Sequence, residues 1–231
     1  MEISNLYKHH PRHYVSVDCI IFGFNGEDLK LLCIKRSFPP EMGKWSLMGG
    51  FLGENESIDE AAYRVLEELT GIKHVFLEQL QGYGSVNRDP AARVISLAYY
   101  ALINPGEYKD AISPHFSAKW FTLGQVPELV FDHNEMVDKA LRRLQRRCKT
   151  QPVGFELLAD RFTLPQLQKL YESIFRMTYD KRNFRKKILS LGILQKLDEK
   201  EKETSKKGAY LYRFEKTKYD DLMKRGIHFE I

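Results

Sequence analysis

Two groups of side chains in this chain have the types and spacing to do chemistry. The first is a set of carboxylates around one arginine, Glu54, Glu56, Glu60, Arg64, Glu67 and Glu68, beginning in a glycine-rich stretch. Acids three and four residues apart share a helix face, and such a face can hold a divalent cation that prefers oxygen ligands. A plainer reading uses the same spacing: Glu60, Arg64 and Glu68 stand four apart, as in an ordinary surface ion-pair ladder. The second group is Arg182, Asn183, Arg185 and Lys186, flanked by Lys181 and Lys187. Guanidinium and amide groups fork onto base edges in a major groove, and lysines neutralise phosphates, so this chemistry suits duplex DNA. The bland alternative is a hydrated basic face on a helix that docks another protein.

The elements that must position the acids are legible. An apolar strand, Trp45–Phe51 (WSLMGGF), runs into a loop and then a helix with both ends marked. Ser57 and Glu60 form a capping box, and Gly71 sits at the C′ position. Between them Ile58, Ala61, Ala62, Val65, Leu66 and Leu69 recur at helical period. Upstream, Tyr14–Phe24 and Leu29–Lys35 predict strands joined through Asn25-Gly26, a hairpin signal. Pro39, Pro40 and Gly43 predict a loop. Val75–Tyr83, Arg93–Ile103 and Ala118–Leu123 predict further strands. A helix follows over Asn134–Cys148, striped by Met136, Val137, Ala140, Leu141 and Leu144, with Arg142, Arg143, Arg146 and Arg147 read as its solvated face. Mixed strands with two helices predict an α+β domain over residues 1–150.

Gln151–Gly154 is the linker expected from composition, and the pattern changes after it. Phe155–Phe162 predicts a short helix. Thr163 caps a second, carrying Leu164, Leu167, Leu170, Tyr171, Ile174 and Phe175 at helical period, with Pro165 tolerated in its first turn. Asp180 caps a third, stopped by Gly192, which turns Phe184, Ile188 and Leu191 inward and Arg182, Asn183, Arg185 and Lys186 outward. Ile193–Leu197 and Ala209–Phe214 predict two strands around a charged segment containing Lys206 and Lys207. Three short helices and a charged hairpin predict a winged helix-turn-helix over residues 155–231.

Composition bounds the reading. At 231 residues, 43% of them hydrophobic and 12% aromatic, the chain has enough apolar material for a packed core. No apolar run approaches membrane-spanning length, and Met1–Arg12 lacks the apolar centre of a signal peptide. Cys19 and Cys33 lie in strand patterns and Cys148 at a helix end, which predicts buried thiols in a reducing cytoplasm with neither disulfide nor zinc. Residues 1–150 carry a net charge of −1 and residues 151–231 one of +6. This asymmetry points to an anionic partner for the last third, or equally to a basic tail that serves solubility alone.

Gly50, Glu56, Arg64, Leu66, Glu68, Gly71 and Ile72 stand in the register of the Nudix hydrolase box. That box also requires glutamates at 65 and 69, where this chain has Val65 and Leu69. In Nudix enzymes the glutamates hold the divalent ions that activate water against a pyrophosphate. With Glu68 alone remaining as a vestige, the resemblance implies a non-catalytic domain without a metal or other cofactor, unless Glu54, Glu56 and Glu67 rebuild the site or a loop elsewhere supplies ligands. A degenerate box followed by FTLPQLQKLYE and DKRNFRKKIL resembles the Nudix-related transcriptional regulators over nearly the whole chain. That resemblance implies a Nudix α/β/α sandwich that senses a metabolite and dimerises, and a winged helix that grips a palindromic operator. One branch of the family responds to ADP-ribose and controls NAD metabolism. Another, from Bacteroidetes, responds to pentoses such as arabinose or xylose. The WSLMGGF, RDPAARVISLAYYAL and VFDHNEMVDKAL stretches look nearer to the pentose branch.

Carried over by position, Arg182, Asn183, Arg185 and Lys186 would contact DNA, with Lys181, Lys187, Lys206 and Lys207 on phosphates. Asp18, Lys35, Glu56, Arg88 and Asp89 are the candidate effector ligands, with Trp45 as a surface for a sugar or base. Each has a plain alternative as a strand-end ion pair, a turn or a buried aromatic. Two function classes compete: a cytoplasmic ligand-gated regulator, and an active nucleoside-diphosphate hydrolase with an accessory basic domain. A regulator retaining weak hydrolysis lies between them.

Overall fold

The computed structural model describes residues 7–71, 73, 75–106, 117–202, 208–226 and 229. Ile72, Lys206 and Lys207 therefore lie outside the described residues. The centre is a mixed sheet built on β1 (Tyr14–Phe24). This strand pairs antiparallel with β2 (Leu29–Lys35) through a turn in which Asn25 Oδ1 accepts from the amides of Glu27 and Asp28. The turn holds four residues, because the register places Phe24 opposite Leu29. Two strands flank the first half of β1: β4 (Met48–Phe51) antiparallel and β6 (Val94–Ile103) parallel, with β5 (Phe76–Tyr83) beyond β6. The edge beside β2 carries β3 (Trp45–Ser46) and β7 (Lys119–Thr122).

The expected strand Trp45–Phe51 is thus two strands. Ser46 pairs with Ile34 on β2, whereas Met48 pairs with Cys19 on β1. Between them the Leu47 amide donates to His133 Nδ1 at 3.1 Å, so a side chain takes the place of a ladder partner.

Strand alternation sends Val17, Cys19 and Ile21 to one face and Ile20, Phe22 and Phe24 to the other. On the first face lies α1 (Ile58–Thr70), whose capping box is made and whose chain leaves through Gly71 at φ 70°. Its Val65 sits so close to the sheet that a Cβ on Gly50 would stand 2.7 Å from Val65 Cγ2. On the second face lies α2 (His133–Thr150).

The stretch expected as a linker is buried structure. Residues Pro152–Leu157 form a 3-10 turn that packs Val153, Gly154, Phe155 and Leu157 inward. Of the helix expected over Phe155–Phe162, only the end of this 3-10 turn, through Leu157, is helical. Phe155 stacks on Phe214 at 4.6 Å, and β8 (Phe162–Thr163) pairs with Leu211 and Tyr212. Cross-strand pairing takes the last of those residues, Phe162, into a strand. Then come α3 (Leu164–Phe175) with a Thr163–Gln166 capping box, α4 (Lys181–Ser190) capped by Asp180, and the hairpin β9 (Leu194–Glu201) and β10 (Ala209–Phe214). A last helix, α5 (Lys216–Lys224), was not expected; it has no side-chain cap, and only Tyr219 and Leu222 pack on the core.

The apolar residues of α2, the 3-10 turn, α3 and α4 form one continuous cluster with the second face of the sheet. Leu144, Leu167, Leu170 and Tyr171 are fully buried there, each worth roughly 1.5–3 kcal/mol on burial. Gln145 Nε2 donates to the Ile174 carbonyl at 2.8 Å, and Ser173 Oγ to that of Glu27 at 3.0 Å. The helical unit is therefore docked on the sheet domain. No helix among the described residues is long and apolar enough to cross a membrane.

Candidate effector cavity and nucleic-acid interface

A cavity of about 550 Å³ opens where β1, the end of β2, β4 and the segment around Arg88 converge. Its floor is polar and buried. Asp18 Oδ2 accepts from Ser96 Oγ at 2.5 Å. Arg88, 3.6 Å from Asp18, forks onto both carboxylate oxygens of Asp132 at 2.7 and 2.9 Å. Asp132 stands at the N-cap of α2, yet its side chain makes no cap bond, because Arg88 occupies it. The next residue, His133, places Nε2 3.6 Å from Asp18 Oδ1. Gly49 is required here: a Cβ would stand 2.3 Å from Asp18 Oδ1.

Burial holds the His133 pKa below its ordinary 6.5, with Asp18 opposing and Arg88 assisting. An unfolded chain binds this proton first, so the contribution is intact above pH 6.5 and is lost as pH falls toward the native value. Denaturant midpoints should therefore decline from pH 7.5 to 5.5, by at most about 1.4 kcal/mol per pH unit from this group. In a His133→Gln variant that part of the slope should vanish; an unchanged slope would assign it elsewhere.

The mouth is aromatic and cationic. Arg36 Nε donates to the Pro40 carbonyl at 2.8 Å, and its guanidinium lies 4.5 Å from the Phe38 ring and 5.3 Å from Phe131. Tyr14 and Phe51, both exposed, approach each other at 5.7 Å between ring centroids. Arginine stays charged at any ordinary pH, so the rim offers an anion site beside flat surfaces for a base.

Of the effector ligands expected from sequence, Asp18, Lys35, Arg88 and Asp89 line this cavity. Trp45 and Glu56 lie outside it. Trp45 packs edge-on against Phe121 at 4.9 Å on the α2-side core, where it completes the hydrophobic edge. Glu56 closes the loop before α1, accepting from the Gly53 amide at 2.6 Å and from Arg64 at 2.6 and 2.8 Å. The Arg64 bond, then the Gly53 amide, push its pKa down to about 2. Arg36, Phe38, Phe51, Phe131 and His133 were missed. Arg36 directly follows a strand end, a usable signal; the others carry none.

At the box itself Arg64 also donates to the Phe51 carbonyl at 2.9 Å and reaches Glu68 at 3.3 Å. Glu67 pairs with Lys73 at 2.6 Å. Val65 is 2% exposed, buried against Gly50 where a carboxylate would be needed. Among the described residues no group of three or more His, Cys, Asp or Glu is placed to hold a metal ion. Glu56 and Glu68 are both engaged by Arg64.

The second expected surface is assembled by α4. Phe184 (4% exposed) and Ile188 (1%) anchor the helix, leaving Lys181, Arg182, Asn183, Arg185, Lys186 and Lys187 exposed. No described acid forms an ion pair with Arg182, Arg185 or Lys186. Lys196 and Lys200 of β9 flank the Tyr210 ring at 3.7 and 4.5 Å, extending positive charge onto the hairpin.

A Nudix domain with a ligand-sized cavity, joined to a winged helix with a basic exposed helix, defines an effector domain fused to a DNA-binding domain. Family comparisons agree: residues 12–142 match the NUDIX domain, and residues 154–214 match the NrtR DNA-binding winged helix domain. The chain is 34% identical to the ADPR responsive transcriptional repressor NtrR of Acinetobacter baylyi, over 95% of this chain and 89% of the relative. Shewanella oneidensis NrtR, solved with a 27mer DNA, matches with a TM-score of 0.79 at 29% identity, covering 89% of this chain and 95% of that one. The Nudix domain of that protein, solved with ADP ribose, matches with a TM-score of 0.51 at 31% identity, covering 59% and 92%. The chain belongs to the NrtR family of Nudix–winged-helix transcriptional regulators. The nearness to the pentose branch expected from sequence finds no support in these comparisons, in which one relative is named ADPR responsive and one Nudix domain was solved with ADP ribose.

Proposed function

We propose that this regulator senses ADP-ribose, or a close nucleoside diphosphate sugar, in the cavity beside Asp18 and adjusts its grip on operator DNA accordingly. The observation that carries the reading is the tie between cavity and helix: Arg88 and His133 hold the first turn of α2, whose far end bonds to α3 through Gln145. An effector contacting Arg88 or Asp18 moves the end of a rod that packs on the DNA-binding unit. Arg36 and Lys35 suit a diphosphate, and the exposed rings of Phe38, Phe51 and Tyr14 suit an adenine. A pentose would leave most of the 550 Å³ empty. The likeness to ADPR responsive relatives favours the same ligand.

Two copies related by a two-fold axis would read a palindromic operator, with half-sites spaced by the helical repeat. A coupling of about 1–3 kcal/mol would change operator affinity about 5–150-fold. The domain is non-catalytic in this proposal, since Val65 and Leu69 replace ligands. Turnover of ADP-ribose near ~1 s⁻¹ with Mg²⁺ or Mn²⁺ would overturn that part.

The deciding experiment is thermal shift with ADP-ribose, arabinose and xylose. A ligand at 100 times its Kd adds about 2.7 kcal/mol, or roughly 2–4 °C per kcal/mol for a chain of this size. ADP-ribose should raise Tm and the pentoses should not; the opposite pattern would sink the effector assignment.

A further inference from the structure

The basic residues of α2 are not one solvated face. Arg143 and Arg147 turn toward β5, where both approach Glu78. Arg142, Arg146 and Lys149 are exposed, and no described acid forms an ion pair with them. They line a groove of about 870 Å³ whose opposite wall is the α3–α4 turn, with Phe175, Met177 and Tyr179. Tyr179 is two residues from Lys181, where α4 begins, so the groove leads to the first turn of the exposed basic helix. Arg176, exposed in the same turn, adds another cation.

Like charges three and four residues apart on one face work against a helix, and Arg142, Arg146 and Lys149 repeat that spacing, with Asp138, four residues before Arg142, the one acid placed to offset any of them. The attraction of cations to a helix C-terminus reaches only the last turn. It accounts for Arg147 and Lys149, but not for Arg142 two turns earlier. A polyanion outside the chain would offset all three.

We infer that Arg142, Arg146 and Lys149 contact the phosphate backbone of the DNA that takes α4 in its major groove. The effector domain then holds DNA directly, through the same helix whose N-terminus is tied to the cavity floor. A duplex carries a charge every 3.4 Å along each strand, so the strand bordering the major groove presents a row of phosphates beside the α4 first turn. This inference rests on the DNA-binding reading above.

Counterion release tests it. Full-length Arg142→Ala/Arg146→Ala protein, wild type and Arg182→Ala protein would be titrated with an operator and a scrambled duplex across salt concentrations. Losing two phosphate contacts should flatten the slope of log K against log salt by about two (about 0.9 per contact). It should weaken both duplexes alike and leave Tm and the ADP-ribose shift unchanged. Arg182→Ala should weaken the operator more than the scrambled duplex. If Arg142→Ala/Arg146→Ala binds with wild-type slope while Arg182→Ala loses the operator, the inference is wrong and the DNA-binding reading stands. If the wild type binds no duplex, both fall.

Discussion

Arg88→Ala is expected to destabilise the protein by about 3–5 kcal/mol, the usual effect of removing one partner from a buried ion pair. For a chain of this length that lowers Tm by roughly 6–20 °C. The side chain of Arg88 is 3% exposed, and its guanidinium serves two carboxylates, Asp132 at 2.7 Å and Asp18 at 3.6 Å. Truncation leaves both acids with less to offset their charge, and the Asp18 side chain is only 9% exposed. Pairing the change with Asp132→Asn should cost less than the sum of the two single changes, because the groups act together. Calorimetry of the four proteins measures this; strict additivity would mean that Arg88 and Asp132 act separately. The double variant should also respond less to effector, since α2 is then held to the cavity floor through His133 alone.

The second large effect is expected on α4. Arg182→Ala should weaken operator binding by about 1–3 kcal/mol if the guanidinium forks onto a base, which is about 5–150-fold. Adding Lys186→Ala should weaken binding further and flatten the salt dependence, because a phosphate contact releases counterions. Fluorescence anisotropy with the operator and single-base variants separates these contributions. Phe184 and Ile188 anchor the helix, and neither Arg182 nor Lys186 packs inward, so Tm should not change. Wild-type affinity in the double variant would remove α4 from the interface.

Much of this architecture was legible because it rests on local rules. The capping boxes at Ser57 and Thr163, the Asp180 cap and the glycine after α1 are each settled within four residues of chain. The outward set on α4 follows from a 100° period and two apolar anchors. The misreadings came where a distant partner intervened. His133 takes the Leu47 amide and splits a strand. Pairing with β10 makes Phe162–Thr163 a strand, and the core absorbs the segment expected to be a linker. Trp45 was expected at the ligand because aromatics often stack on ligands, yet it faces Phe121; nothing in the sequence says which side of β3 is core.

The sequence by itself determined two domains' worth of elements, a metal face lacking two of its carboxylates and an exposed basic helix, all through spacing along one strand or helix. Only the tertiary structure decided that Asp18, Arg88, Asp132 and His133 meet, and that the arginines of α2 divide between Glu78 and a groove leading to α4. Those groups lie up to 115 residues apart in sequence. Their meeting depends on strand register and on which helix face is buried, and chain spacing carries no record of either.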